Sequence, residues 1–352
     1  MTYSVLIMHI SSIQFILFLG LFFLWSCNDS QEPEEVVIEN DFGFVKPEHF
    51  PEPSYTFSNN EVTKEGFNLG KALFFDPIFS RDGTVACSSC HDQTVAFADP
   101  QHRLSIGIED RVGVRNAPQM TNLAFMNNFF WDGGVIHVDF IPLNAIENPL
   151  EMDEETSEVV VKLRNTETYP PMFAKAFGTD SVSTPRMLHA LSQFMVMLVS
   201  ADAPYDQYRL NKAELTNLQV QGLDIFEEKC ASCHSGELFT DQSFRNNGLD
   251  SEFEDLGRGV ITEDENDFGK FRVPSLRNVM LTKPYMHDGR FSSIEEVLAH
   301  YNEGVVFSES LDETLKGERL GIALTEDERL KIAAFLETLT DTNFISNPTF
   351  FK

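Results

Sequence analysis

"VACSSCHDQ", residues 85–93, packs two cysteines and a histidine into nine positions, and "KCASCHSGE", residues 229–237, repeats the arrangement. The chain has five cysteines; Cys87, Cys90, Cys230 and Cys233 form these two C-x-x-C pairs and leave only Cys27. His91 and His234 follow the pairs directly. Four chemistries use such a cluster: a disulfide, a zinc site, a thiol redox centre and a covalent haem anchor. A zinc ribbon keeps its cysteine pairs within roughly 15–20 residues of each other, whereas 140 positions separate Cys90 from Cys230. A thioredoxin-like motif normally occurs once and needs no histidine behind it. Disulfides would leave both histidines without a role. Haem attachment uses every residue. Each thiol adds to one vinyl group, the two-residue spacer lets both reach one porphyrin edge, and the adjacent His falls under the iron as proximal ligand. Two such motifs, consuming every cysteine after Cys27, point to two covalent c-type haems.

The surroundings of the motifs are also repeated. "TKEGFNLGKALFFD", residues 63–76, precedes the first, with Phe67, Gly70, Leu73 and Phe74 on one helical face and Thr63 placed to cap it. "LTNLQVQGLDIFEEKC" precedes the second, with Leu215, Leu218, Gly222, Ile225 and Phe226 in a matching stripe. The shared glycine permits close approach of another helix. Residues 186–201 and 324–339 read as further helices, the latter opening on a Thr325/Glu328 capping box. His189 and the methionines of the former are expected in the core. No strand pattern is sustained, and "SADAPYDQYRLNKAE", residues 200–214, reads as the linker between halves.

At 352 residues, 42% hydrophobic and with 32 Phe, the chain can build two cores. Its formal charge is −29, from 55 acidic against 26 basic residues. That balance excludes nucleic acid as a partner and suits long-range attraction of a basic one. The apolar run Phe15–Trp25 covers eleven residues, short of the roughly 20 that span a bilayer but suited to an export signal. It ends at "LWSC", residues 24–27, before the polar "NDSQEPEE". Residues 1–27 therefore resemble a bacterial lipoprotein signal with Cys27 as the acylated residue, although a basic leader is missing and Trp25 is bulky for its place. An uncleaved signal anchor is the alternative. Residues 28–56 read as a tether and amino-terminal arm.

The ordered set "LGKALFFDPIFSRDGTVACSSCH", "SIGIEDRVGVRNAP", "FFWDGG", "NPLEM", "CASCH" and "KFRVPSLRNVMLTKPYMHDGRFSSIEEVLAHYNEG" resembles the bacterial dihaem cytochrome c peroxidase family, which includes MauG-like members. The likeness runs from about Gly66 to Leu339. It implies a mainly α fold of two cytochrome-c-like helical domains, each with one covalent haem. Here these would be a peroxidatic domain at 57–203 and an electron-transfer domain at 204–345. It implies His91 and His234 as proximal ligands, and Glu151 as the acid–base that moves a proton between the peroxide oxygens. Read alone, Glu151 is a solvated acid. Trp131 would lie between the haems, where read alone it is core. Asn116, Thr282 and Pro284 would hold a calcium ion through one side-chain oxygen and two carbonyls. His287 matches a position near the haem interface without being a ligand.

Three positions depart from the family pattern. Ile108 stands where enzymes needing reductive activation carry a histidine, so the peroxidatic iron is expected open at rest; His102 is the substitute to weigh. Tyr301, fourteen residues after His287, stands where the second haem usually takes a methionine, as in MauG-like members; His300 and Met286 rank behind it. Ile141 replaces a glutamine ten residues before Glu151. The resemblance implies a peroxidase fed by a small c-type cytochrome or another periplasmic donor. The alternatives are a MauG-like oxidase acting on a protein or small molecule, and a non-catalytic dihaem electron carrier. It also implies a periplasmic or cell-surface protein of a Gram-negative bacterium, lipid-anchored or soluble, in a family where homodimers are common.

Overall fold

Each C-x-x-C-H motif follows a helix that carries a buried glycine, directly at Cys230 and thirteen positions past the helix end at Cys87, and those glycines organise the architecture. The computed structural model describes residues 42–352; the signal segment, Cys27 and residues 28–41 of the tether lie outside the described residues. The first half contains α1 (Lys64–Phe74), α2 (Ile141–Glu147), α3 (Thr156–Arg164), α4 (Tyr169–Phe177) and α5 (Thr184–Val196). The second contains α6 (Pro204–Arg209), α7 (Asn217–Lys229), α8 (Gly259–Thr262), α9 (Ile294–Ala299) and α10 (Glu326–Glu337), and α11 (Thr342–Ile345) follows. Among the described residues the only sheet is the antiparallel pair β1 (Phe244–Arg245) and β2 (Phe271–Arg272). The fold is mainly α.

α1 begins at Thr63, whose hydroxyl accepts from Gly66 N, and α7 begins at Thr216, which caps Gln219 N in the same way. α1 packs on α5, and α7 on α10. A Cβ on Gly70 would lie 1.8 Å from the Ala190 carbonyl oxygen, and one on Gly222 2.0 Å from that of Lys331. No side chain fits either crossing. Four residues beyond each contact point comes a phenylalanine, and these build two matching aromatic triads. Phe74 and Phe194 lie 5.0 Å apart, as do Phe226 and Phe335. Phe97 completes the first triad 5.9 Å from Phe74, and Phe239 completes the second 5.9 Å from Phe226. The internal duplication is thus realised in three dimensions.

Some sequence expectations change. Leu218 is 50% exposed, because it lies in the first turn of α7, ahead of the crossing at Gly222; Leu223 takes the buried place instead. His189 is half-exposed beside Asp139 rather than in the core, whereas Met187 and Met195 are buried. The stretch read as a linker contains α6, with Tyr205 and Asp206 buried. Asp206 is fully buried because Arg277 grips it with two hydrogen bonds of 2.8 Å, and His49 of the amino-terminal arm lies 2.8 Å from the same carboxylate. Two main cores form. One is built on residues 50–198 and takes in Leu238, Phe344 and Phe350. The other spans residues 205–339. The chain therefore returns to its first core after completing its second.

Candidate active site between two haem-attachment motifs

In both motifs the histidine is held by the same device. His91 Nδ1 donates to the Phe97 carbonyl at 2.8 Å, and His234 Nδ1 donates to the Phe239 carbonyl at 3.2 Å. A carbonyl only accepts, so Nδ1 carries the proton and Nε2 keeps its lone pair for a metal. Phe97 and Phe239 have φ of 58° and 52°, in the left-handed region, which turns each carbonyl back towards its histidine. Burial pushes both imidazoles towards the neutral form, the form that binds iron.

The thiols complete the donor set. All four cysteines are free and partly buried. Burial pushes Cys87 and Cys230 up to about 12, and Cys90 up to about 11. A redox C-x-x-C works through a depressed thiol pKa, the opposite of the direction at Cys87, Cys90 and Cys230. Among the described residues no three His, Cys, Asp or Glu side chains converge as a metal-binding group. Neutral proximal histidines beside uncoupled thiol pairs fit two c-type haems.

A cavity of about 680 Å³ joins the two motifs. His91 and His234 both line it, with Trp131, Tyr301, Cys230 and Cys233. Trp131 is fixed by its indole N–H, which donates to the Asn116 carbonyl at 2.9 Å. Asn116, Thr282 and Pro284 line the same cavity. The Asn116 amide donates to the Arg103 carbonyl at 3.1 Å, which leaves its oxygen for another partner. His287 stacks on Phe271 with centroids 3.7 Å apart. Of the three candidates for the distal position of the second haem, Tyr301 and Met286 face the cavity. His300 is buried, and its Nε2 is hydrogen-bonded to the Asn247 carbonyl at 3.0 Å. Tyr301 lies in a π-helical turn, His300–Gly304, a distortion frequent at functional sites. Burial pushes its phenol up to about 12.

Glu151 stands apart from that lining, on the side of the first motif, where its charge raises the pKa of both Cys87 and Cys90. Burial lifts its own carboxyl to about 7, against the opposing hydrogen bond from Asn148. Asn148 holds the turn at two points: Nδ2 donates to Glu151 Oε1 at 2.9 Å, and Oδ1 accepts from Leu150 N at 3.0 Å. Ile108 is fully buried, and its N–H donates to the Glu151 carbonyl at 2.8 Å. Gly107 lies so close that a Cβ there would be 2.2 Å from the Leu150 carbonyl oxygen. The Gly107–Ile108 segment is thus docked on the backbone of Leu150 and Glu151. His102 is instead bound to Asp99 at 3.0 Å and half-exposed. Sequence reading missed Asn148, whose only signal was the Asn-Pro that opens "NPLEM".

The family model for di-haem cytochrome c peroxidase matches residues 64–214. A methylamine utilization protein MauG from Methylorubrum extorquens is 36% identical over 302 residues, covering 84% of this chain and 83% of its own. The chain belongs to the di-haem cytochrome c peroxidase family. The cytochrome c551 peroxidase of Nitrosomonas europaea is 33% identical over 279 residues, covering 77% of this chain and 79% of its own. Among solved structures, a MauG-like protein associated with microbial copper homeostasis superposes with a TM-score of 0.81 at 32% identity, covering 88% of this chain and 99% of that one. The di-haem peroxidase fold therefore extends through both motifs, and the family implies two c-type haems. Peroxidases and MauG proteins both stand among the relatives.

Proposed function

We propose that this chain is a dihaem c-type peroxidase that reduces hydrogen peroxide to two waters with two electrons and two protons. The observation that carries the reading is Glu151: a buried carboxyl near pKa 7, fixed by Asn148 beside the first haem-attachment motif. The haem on Cys87, Cys90 and His91 would supply a redox-active iron. Glu151 accepts a proton from one peroxide oxygen and returns it to the other, and a pKa near the working pH suits both transfers. Ile108 offers no atom that could ligate iron, so peroxide access needs no prior displacement of a side chain. Cys230, Cys233 and His234 would hold the second haem, with Tyr301 as a further candidate ligand, and Trp131 would stand on the electron path between the two sites. Asn116, Thr282 and Pro284 would hold calcium beside that path. A small c-type cytochrome or another periplasmic protein is the donor, drawn to the acidic surface, with the enzyme tethered through Cys27. Steady-state peroxide turnover with reduced cytochrome c tests the reading. Glu151→Gln is expected to lose at least a hundredfold in rate while keeping both haems; unchanged turnover would remove Glu151 from the reaction, and no turnover by the wild type would show an electron carrier instead.

A MauG-like oxidase is the second reading, favoured by Tyr301 at the cavity wall. A phenolate donor lowers the haem potential and so stabilises higher iron oxidation states. Oxidation of candidate protein substrates by peroxide, without added cytochrome, separates the two.

A further inference from the structure

Three Lys or Arg side chains line the cavity between the motifs: Lys229, Arg245 and Arg272. Two are neutralised within the protein. Lys229 pairs with Glu328 at 2.5 Å, and Arg245 pairs with Asp241 at 2.6 Å and Asp312 at 3.0 Å. Arg272 differs. Its only side-chain hydrogen bond is from Nε to the Phe130 carbonyl at 3.3 Å, and among the described residues no carboxylate pairs with it. Both terminal nitrogens of its guanidinium are left over, and burial pushes the group down to about 10. A cation taken out of water without a counter-charge is costly, and nothing in the wall offsets this one.

The backbone fixes where this charge points. Arg272 N donates to the Trp131 carbonyl at 2.7 Å, and its strand partner is Phe244. Arg272 is therefore clamped to the residues that carry Trp131, at the seam between the His91 and His234 sides. The missing counter-charge must enter the cavity with whatever fills it. A c-type haem carries two carboxylates, and guanidinium binds a carboxylate through two parallel hydrogen bonds. We propose that Arg272 binds a haem propionate at the seam, so that one haem edge is held against the Trp131 backbone. The inference rests on the presence of the haems and not on the peroxidase reading.

The test uses the haem-loaded protein, with two covalent haems verified by mass. Potentiometric titration followed by absorption gives both midpoint potentials, and resonance Raman gives the propionate bending bands. Removing a positive charge beside a haem carboxylate stabilises the ferric state. Arg272→Gln is therefore expected to lower the potential of one haem and shift one propionate band, leaving the other haem unchanged. Arg272→Lys should restore most of the potential but not the band, since an ammonium makes no paired contact. Unchanged potentials and bands in Arg272→Gln would overturn the proposal. If Arg272→Gln fails to take up haem, Arg272→Lys decides: a wild-type propionate band there overturns it equally.

Discussion

At the scale of single residues, the site depends on groups held in protonation states they would not adopt in water. Glu151 is the clearest. Its carboxyl sits near 7 in the folded chain against an ordinary value of 4.5, so folding favours its neutral form. That contribution to stability is fully present below about 4.5 and is lost as pH rises through about 7. Two results are expected. Peroxide turnover should rise through pH about 7 as the carboxylate becomes available, and Glu151→Gln should flatten that profile. The same variant should be more stable than wild type above pH 7, by roughly 3 kcal/mol from the size of the shift, in urea titrations of the haem-loaded protein. For Tyr301→Phe the spectrum of the second haem should change from that of an anionic oxygen ligand; an identical spectrum would move the ligand to Met286. The family was legible in the sequence because covalent bonding to one porphyrin demands the fixed local spacing of C-x-x-C-H, which occurs twice. Asn148 and Arg272 were not, because their roles depend on neighbours that only the folded chain supplies. His300 and Tyr301 could not be separated by position; they are separated by direction, one turned to Asn247 and the other to the cavity.

At the scale of elements, the glycine crossings make a sharp claim. Ala at position 222 would bring its Cβ 2.0 Å from the Lys331 carbonyl oxygen, and α7 would have to move away from α10. Overpacking of this kind costs roughly 1–3 kcal/mol. Gly222→Ala should lower the thermal midpoint of the haem-loaded protein, and Gly70→Ala should do the same through α1 and α5. Wild-type midpoints in both would show that the crossings are not tight. The 3.6-residue periodicity made α1, α5 and α10 readable, and Thr63 and Thr325 marked where two of them start. The reading failed where burial has no periodic signature. α6 is short, polar and rich in charge, yet it is drawn inside by one ion pair with a residue 71 positions away.

At the scale of the whole molecule, that ion pair is a clasp. Arg277 and Asp206 are both fully buried, Arg277 lies 4.6 Å from the Phe50 ring, and His49 reaches Asp206 from the amino-terminal arm. The arm, α6 and the loop before Asn278 thus share one buried charge centre. Asp206→Asn would strand the guanidinium and is expected to cost roughly 3–5 kcal/mol, read as a fall in the denaturant midpoint. Arg277 holds the Asp206 carboxyl below its ordinary range despite burial. Its contribution is present above about pH 4 and is lost as pH falls through the lowered value. The return of the chain end has a separate consequence. Phe344 and Phe350 complete the first core, Gln93 donates to the Asn347 carbonyl at 2.8 Å, and Lys71 donates to that of Thr349 at 2.8 Å. The first core is thus completed by residues that follow the second, so the two halves are expected to unfold together in one transition, read as coincident midpoints of the two haem spectra in denaturant.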